Sequence, residues 1–303
     1  MQSTIRIVCA ALIIQILCFN ASFADQSCPP EGQNKESLLQ LRQDGFSLDD
    51  DAQRNQLAIS LTACLSDPDP AIRDGVVYEG LAHWMRAGQL SDPTLQSLLE
   101  ISLEKLAGES DSGGFEKPFS VLVLSEVVRT DRLEPWMTVE QRSVVVAAAA
   151  EYLASITDYR GFSDDDGWRH GVAHASDLVL QLDLNEAIDD SALKVLMDAV
   201  AVQISPQVTH FYIYGEPGRL ARSVFYAWRR GIVDEEFWNR WFEKLARPEP
   251  LEAWGESFSS QEGLAKRHNT LGFLLALHLN AVFAEDEVLA DQVMETITAI
   301  LGG

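Results

Sequence analysis

Basic side chains are scarce in this chain of 303 residues. Lys and Arg number 23 against 46 Asp and Glu, a formal net charge of −23. Phosphate backbones and anionic membrane surfaces require basic surface on the protein, so nucleic acid is excluded as a partner and anionic bilayers are disfavoured. The acids lie in short clusters along the chain, an arrangement that serves solubility rather than cation storage. Cysteine is scarce as well: there are four, and no CxxC. Thiol–disulfide catalysis and a zinc ribbon are thereby unsupported. No GxSxG elbow and no phosphate-cradling glycine loop occur, and no nucleophile with a paired base can be named. Strand-like alternation is rare, whereas helical periodicity runs through nearly the whole chain.

The one long apolar run, Ile7 to Phe19, follows Arg6 and precedes Ser22-Phe23-Ala24. A basic start, an apolar centre and small residues at a cleavage point read as a signal peptide over residues 1–24. The run is short for a membrane helix, which needs about 20 residues, so the mature chain is expected to make no stable membrane insertion. Bulky Leu17 before Cys18 argues against lipoprotein processing. The expected location is therefore outside the cytoplasm, periplasmic in the first instance, with secretion as the alternative. Cys9 and Cys18 leave with the signal. Cys28 and Cys64 remain, an even pair in an oxidising compartment and a candidate disulfide. The alternative is two buried thiols.

Cap-like and proline-containing breaks divide the rest into about a dozen helical segments. These pair as 50–65 with 70–87, 92–107 with 116–131, 138–156 with 166–183, 189–203 with 217–231, and 234–246 with 260–284. The pairs recur every 40 to 50 residues or so, the period of HEAT and armadillo arrays. Asp69-Pro70 followed by Arg73 and Val76 adds a cap, a first-turn proline and an arginine, a combination common at HEAT-like junctions. The expected fold is all-α: a HEAT/armadillo-like α-solenoid of antiparallel helix pairs, forming a single domain over residues 25–303. An irregular helical bundle is the rival.

The second helices of such pairs usually line the concave face, and here they carry polar stripes. One offers Glu79, His83 and Arg86, another Arg219, Arg222, Tyr226 and Arg230, and a third opens with Lys266, Arg267, His268 and Asn269. The densest is Asp158–Leu182, a turn-rich loop feeding a helix on which His170, His174, Asp177 and Gln181 share one stripe, with Trp168 on the packing side. Two imidazoles at i and i+4 plus Asp177 make a possible metal face. The zincin pattern, however, requires Glu directly after the first His, and Gly171 stands there. Arg160 is expected to pair with Asp177 or with Asp164, Asp165 or Asp166, the three acids serving as helix N-cap material.

Beyond their periodicity, several stretches resemble a known family. YRGF (159–162), GWRHGVAH (167–174), GEPGRLAR (215–222) and SQEGLAKRHNT (260–270), together with RDGVVYEGL (73–81) and LSEVVRTDRL (124–133), occur in one order over residues 40 to 280. In this the chain resembles an uncharacterised bacterial family, domain of unknown function 2785. The resemblance implies a helical, HEAT-like array and assigns no catalytic residue. The expectation is an exported helical-repeat protein that binds a small polar ligand or a protein partner on its concave face, through Arg160, Trp168, His170, His174, Asp177, Glu216, Arg219, Arg222, His268 and Asn269. The alternative is a metal-dependent hydrolase centred on His170, His174 and Asp177. The reading leans away from an enzyme, and no cofactor is expected beyond the divalent metal of that alternative.

Overall fold

The structure, a computed structural model, describes residues 27–302, so the expected signal peptide lies outside it. Helix starts follow the sequence punctuation. Asp50, Asp69, Thr138, Asp189, Asp234 and Ser260 each turn a side-chain oxygen onto a first-turn N–H. Those N–H groups have no acceptor inside the helix, which is why small oxygen-bearing residues favour such positions.

In chain order the helices are α1 (Lys35–Gln43), α2 (Asp51–Leu61), α3 (Pro70–Ile72), α4 (Glu79–Arg86), α5 (Asp92–Ala107), α6 (Glu116–Leu133) and α7 (Val139–Ser155). They continue as α8 (Gly171–Asp183), α9 (Asp190–Ile204), α10 (Glu216–Arg229), α11 (Glu235–Ala246), α12 (Gln261–Phe283) and α13 (Glu287–Gly302). A π-helical turn, Arg73–Tyr78, joins α3 to α4. Between α7 and α8 a short hairpin forms from β1 (Phe162–Ser163) and β2 (Gly167–Trp168).

The helices stack in two layers. α2, α5, α7, α9 and α11 pack in succession in one layer, while α4, α6, α8, α10 and α12 pack in succession in the other. The layers meet along α5–α6, α7–α8 and α9–α10, and α13 lies against α11 and α12. One apolar cluster runs between them from Leu38 to Ile300. Burying a Leu or Phe side chain within it contributes roughly 1.5–3 kcal/mol before entropy is subtracted. The protein is thus an all-α helical array. Cys28 and Cys64 are joined by a disulfide, Cα to Cα 5.1 Å, which ties the leader to the turn after α2. Among the described residues no helix is long and apolar enough to cross a membrane.

One expected boundary is corrected. The helix expected over 166–183 begins at Gly171, and Asp164, Asp165 and Asp166 form the hairpin turn instead of a helix cap. Trp168 consequently sits on β2 rather than on the helix. Strands of two residues are too short to leave any alternation in the sequence.

Candidate functional site

The hairpin is held by a buried arginine. Arg73 has no exposed surface, and its guanidinium donates to the carbonyls of Asp67 at 2.8 Å and Asp166 at 2.7 Å. It pairs with Asp74 at 2.8 Å and lies over the Phe115 ring at 4.0 Å. Arg169 covers that same ring at 4.2 Å and donates to the carbonyl of Gly113 at 2.7 Å. Two guanidiniums on one phenyl group, each bonded to loop carbonyls, fix the hairpin against the start of α6.

Under the hairpin the sequence-predicted residues gather. Trp168 stacks on His170 with ring centroids 4.7 Å apart, and His170 meets His174 edge to face at 5.7 Å. His170 is the N-cap of α8 in the left-handed conformation, φ 55°, and makes no side-chain cap. Its Nε2 is buried without a partner, 3.9 Å from Glu216 Oε1. That separation exceeds a hydrogen bond. Glu216 itself is buried and accepts the Tyr214 N–H at 2.9 Å. Tyr214 in turn lies against Gly161, where a Cβ would stand 2.0 Å from the ring, so only glycine admits it. His174 Nδ1 sits 3.1 Å from the Pro118 carbonyl, which makes it the protonated nitrogen.

Burial sets the charge states here. It lowers the pKa of His170 to about 4, with Arg219 adding to the effect. It lowers that of His174 to about 3, with His170 adding. Glu216 is raised by burial. Both imidazoles are therefore neutral at physiological pH, buried beneath the partly exposed rings of Trp168 and Tyr214.

The remaining predicted residues go elsewhere. Asp177 is ion-paired with Arg219 across α8 and α10, not with Arg160 as expected. Arg160 pairs with Asp158, two residues back, donating from Nε at 2.8 Å. Arg222 is exposed on α10 beside Asp177. Asn269 is fully buried and clamps the segment before α10, accepting from Tyr212 N and donating to His210 O, both at 2.9 Å. His268 lies 3.3 Å from the Tyr212 carbonyl. Arg230 donates to the carbonyls of Asp183 and Asn185 at 2.9 Å and closes the end of α8. Much of the polar stripe is thus mutually satisfied. Among the described residues no group of three His, Cys, Asp or Glu is placed to hold a metal ion.

One open space lies beside the hairpin's base, where α6 and α8 begin and α7 ends. A cleft of about 400 Å³ there is lined by Asp111, Lys117, Tyr152, Thr157, Asp158, Arg160 and Gly171, among others. Its acids are already engaged: Asp111 accepts the N–H groups of Phe115 and Glu116 at 3.2 and 2.8 Å, and Asp158 holds Arg160. Its donors are largely free. Lys117 enters no ion pair among the described residues, and burial keeps the Tyr152 hydroxyl protonated by raising its pKa. The first turn of α8 has no side-chain cap, and its first residue, Gly171, lines this cleft. Gly171, which in sequence was the missing zincin base, has a steric part: a Cβ there would stand 3.3 Å from the Tyr152 hydroxyl. Lys117 and Tyr152 were not singled out in the sequence, since each looks like an ordinary residue on a helix.

Comparison with known proteins gives one match. Residues 103–279 match the family described as a protein of unknown function, DUF2785. The match is shorter than the resemblance indicated, and RDGVVYEGL (73–81) lies outside it. No curated protein and no solved structure matches the chain. The matched stretch covers more than half of the sequence and takes in the hairpin, the histidine cluster and the cleft, and the chain belongs to the DUF2785 family.

Proposed function

We propose that this is an exported binding protein, a single HEAT-like solenoid over residues 25–303, that takes a small organic acid in the cleft beside the hairpin's base. The observation that carries the reading is the balance of the lining. Its carboxylates are engaged by protein groups, while Lys117, the Tyr152 hydroxyl and the first turn of α8 remain as donors. On a chain this acidic, a cleft whose free groups are donors and a cation is complementary to a carboxylate. A volume of about 400 Å³ suits a metabolite-sized ligand. Arg160 would stand at the rim, with Trp168, His170, His174 and Glu216 as the packed wall that keeps α8 in place. The Cys28–Cys64 disulfide supports export, because such bonds persist in oxidising compartments. The metal-hydrolase alternative has no such support, since Asp177, its third ligand, is occupied by Arg219.

The reading is tested by thermal-shift measurement with a panel of small carboxylic acids and neutral sugars. Acids are expected to raise the melting temperature of the native chain and to leave that of Lys117→Ala unchanged. Stabilisation by the neutral compounds alone, or equal stabilisation of both proteins, would rule it out.

A further inference from the structure

Many of the few cations in this chain are spent on neighbouring acids, as with Arg42 on Glu79, Arg86 on Glu126, Arg142 on Asp131 and Lys194 on Asp190 and Asp234. Lys244, Arg247 and Lys266 enter no ion pair among the described residues, and all three line one cleft of about 530 Å³. It opens where α7, α9 and α11 end and α12 begins, and shares only Ile156 and Thr157 with the cleft discussed above. Glu249 is the one acid in its lining, and Glu262 faces Lys266 from an adjoining hollow.

Lys266 is the inner anchor. It is half-buried with its Nζ 5.1 Å from the centroid of the Trp254 ring, and burial lowers its pKa although Glu249 acts the other way. The Ser205 hydroxyl, also in the lining, is buried without a partner. Gln203 is wall only, because its amide donates to the Leu153 and Ile156 carbonyls at 2.8 and 3.1 Å and accepts from the Tyr212 hydroxyl at 3.1 Å. Tyr159, Val202 and Pro206 give the cleft an apolar side.

We propose that this second cleft binds a small organic anion: a phosphoryl or carboxylate head on Lys266, Lys244, Arg247 and Ser205, with an apolar or aromatic body against Tyr159, Val202 and Pro206. An anion there gives three cations without ion-pair partners a counter-charge and gives the buried hydroxyl an acceptor. The proposal is independent of the first cleft, since Lys117 takes no part in it.

The test is nuclear magnetic resonance of the intact protein with its lysines reductively ¹³C-methylated, which keeps their charge, titrated with phenyl phosphate, benzoate and phenol. Phenyl phosphate or benzoate is expected to move the Lys266 and Lys244 methyl signals saturably, the better of the two identifying the head group. Lys194, already held by two aspartates, is expected to stay still. Lys266→Met should weaken binding by about tenfold or more. Lys244→Met and Arg247→Gln, both at exposed positions that leave folding intact, should each weaken it by about two- to fivefold. Parallel movement of every lysine, equal binding of phenol, or unchanged affinity in Lys244→Met and Arg247→Gln would overturn the proposal.

Discussion

The two sides of the 162–168 hairpin are built from similar residue types and do opposite things. On one side Trp168, His170, His174, Tyr214 and Glu216 pack ring on ring, and burial drives both imidazoles neutral. On the other side Lys117, Tyr152 and Arg160 stand around open space that the uncapped start of α8 borders at Gly171. Polar side chains crowded against one another mostly satisfy each other and so act as structure, His170 Nε2 being the exception on this side. The same kinds of group around a void keep unspent bonding capacity, and only those are available to a ligand. Polarity alone does not mark a binding site; unspent polarity that borders open space does.

That contrast is broken most severely by removing what holds the hairpin. Arg73→Met would strand the carbonyls of Asp67 and Asp166 and the Asp74 carboxylate. Urea denaturation should register a loss of about 3–5 kcal/mol, the usual cost of removing one partner of a buried charged network. A loss below about 1 kcal/mol would mean that Arg73 is not the tie.

Next in size are the histidines. His174→Phe keeps the ring packing and deletes the bond to the Pro118 carbonyl, so a loss of about 1–3 kcal/mol at neutral pH is expected. The pH dependence has a definite sign. The folded-state pKa values of about 4 and about 3 lie below the ordinary imidazole value of 6.5, so the unfolded chain binds protons that the native state refuses. The histidines therefore do not penalise the fold above 6.5, and stability falls as the pH drops from there toward 4. His174→Phe should flatten that fall, as seen in melting temperatures across the range. An unaltered slope would show that another group titrates.

A gain in stability is expected at Asp183. Its side chain is fully buried with both carboxylate oxygens unpartnered. Burial raises its pKa well above 3.8, with Ser223 and Arg230 only partly opposing. A raised pKa means that the native state holds a proton the unfolded chain has released, a contribution full below 3.8 and lost as pH rises through the folded value. Asp183→Asn should raise the urea midpoint at pH 7 and lose that advantage below pH 3.8. The smallest effect on stability belongs to the open side: Lys117→Ala is expected to change unfolding free energy by less than about 0.5 kcal/mol, because it removes no internal partner.

Much of the fold was legible because helix starts carry their own chemistry. Asp50, Asp69, Thr138, Asp189, Asp234 and Ser260 stand at observed caps because a first-turn N–H needs an oxygen supplied locally in sequence. The spacing of His170 and His174 was equally visible, but its meaning was not. That depended on the Pro118 carbonyl, 56 positions away, and on an aspartate taken up by Arg219 from another helix. Arg160 was expected to reach across the loop and instead closes on Asp158 beside it. Lys117 and Tyr152 gave no sign of themselves, since only tertiary packing leaves a void between them.

The central claim is that binding belongs to the open side of the hairpin and packing to the closed side. It is tested most directly by calorimetric titration of the acid that gives the largest thermal shift into the native chain, Lys117→Ala and His170→Phe. The account predicts an affinity loss of about tenfold or more in Lys117→Ala, from a lost charged hydrogen bond, and little change in His170→Phe. Native affinity in Lys117→Ala together with lost binding in His170→Phe would contradict it and return the site to the histidines.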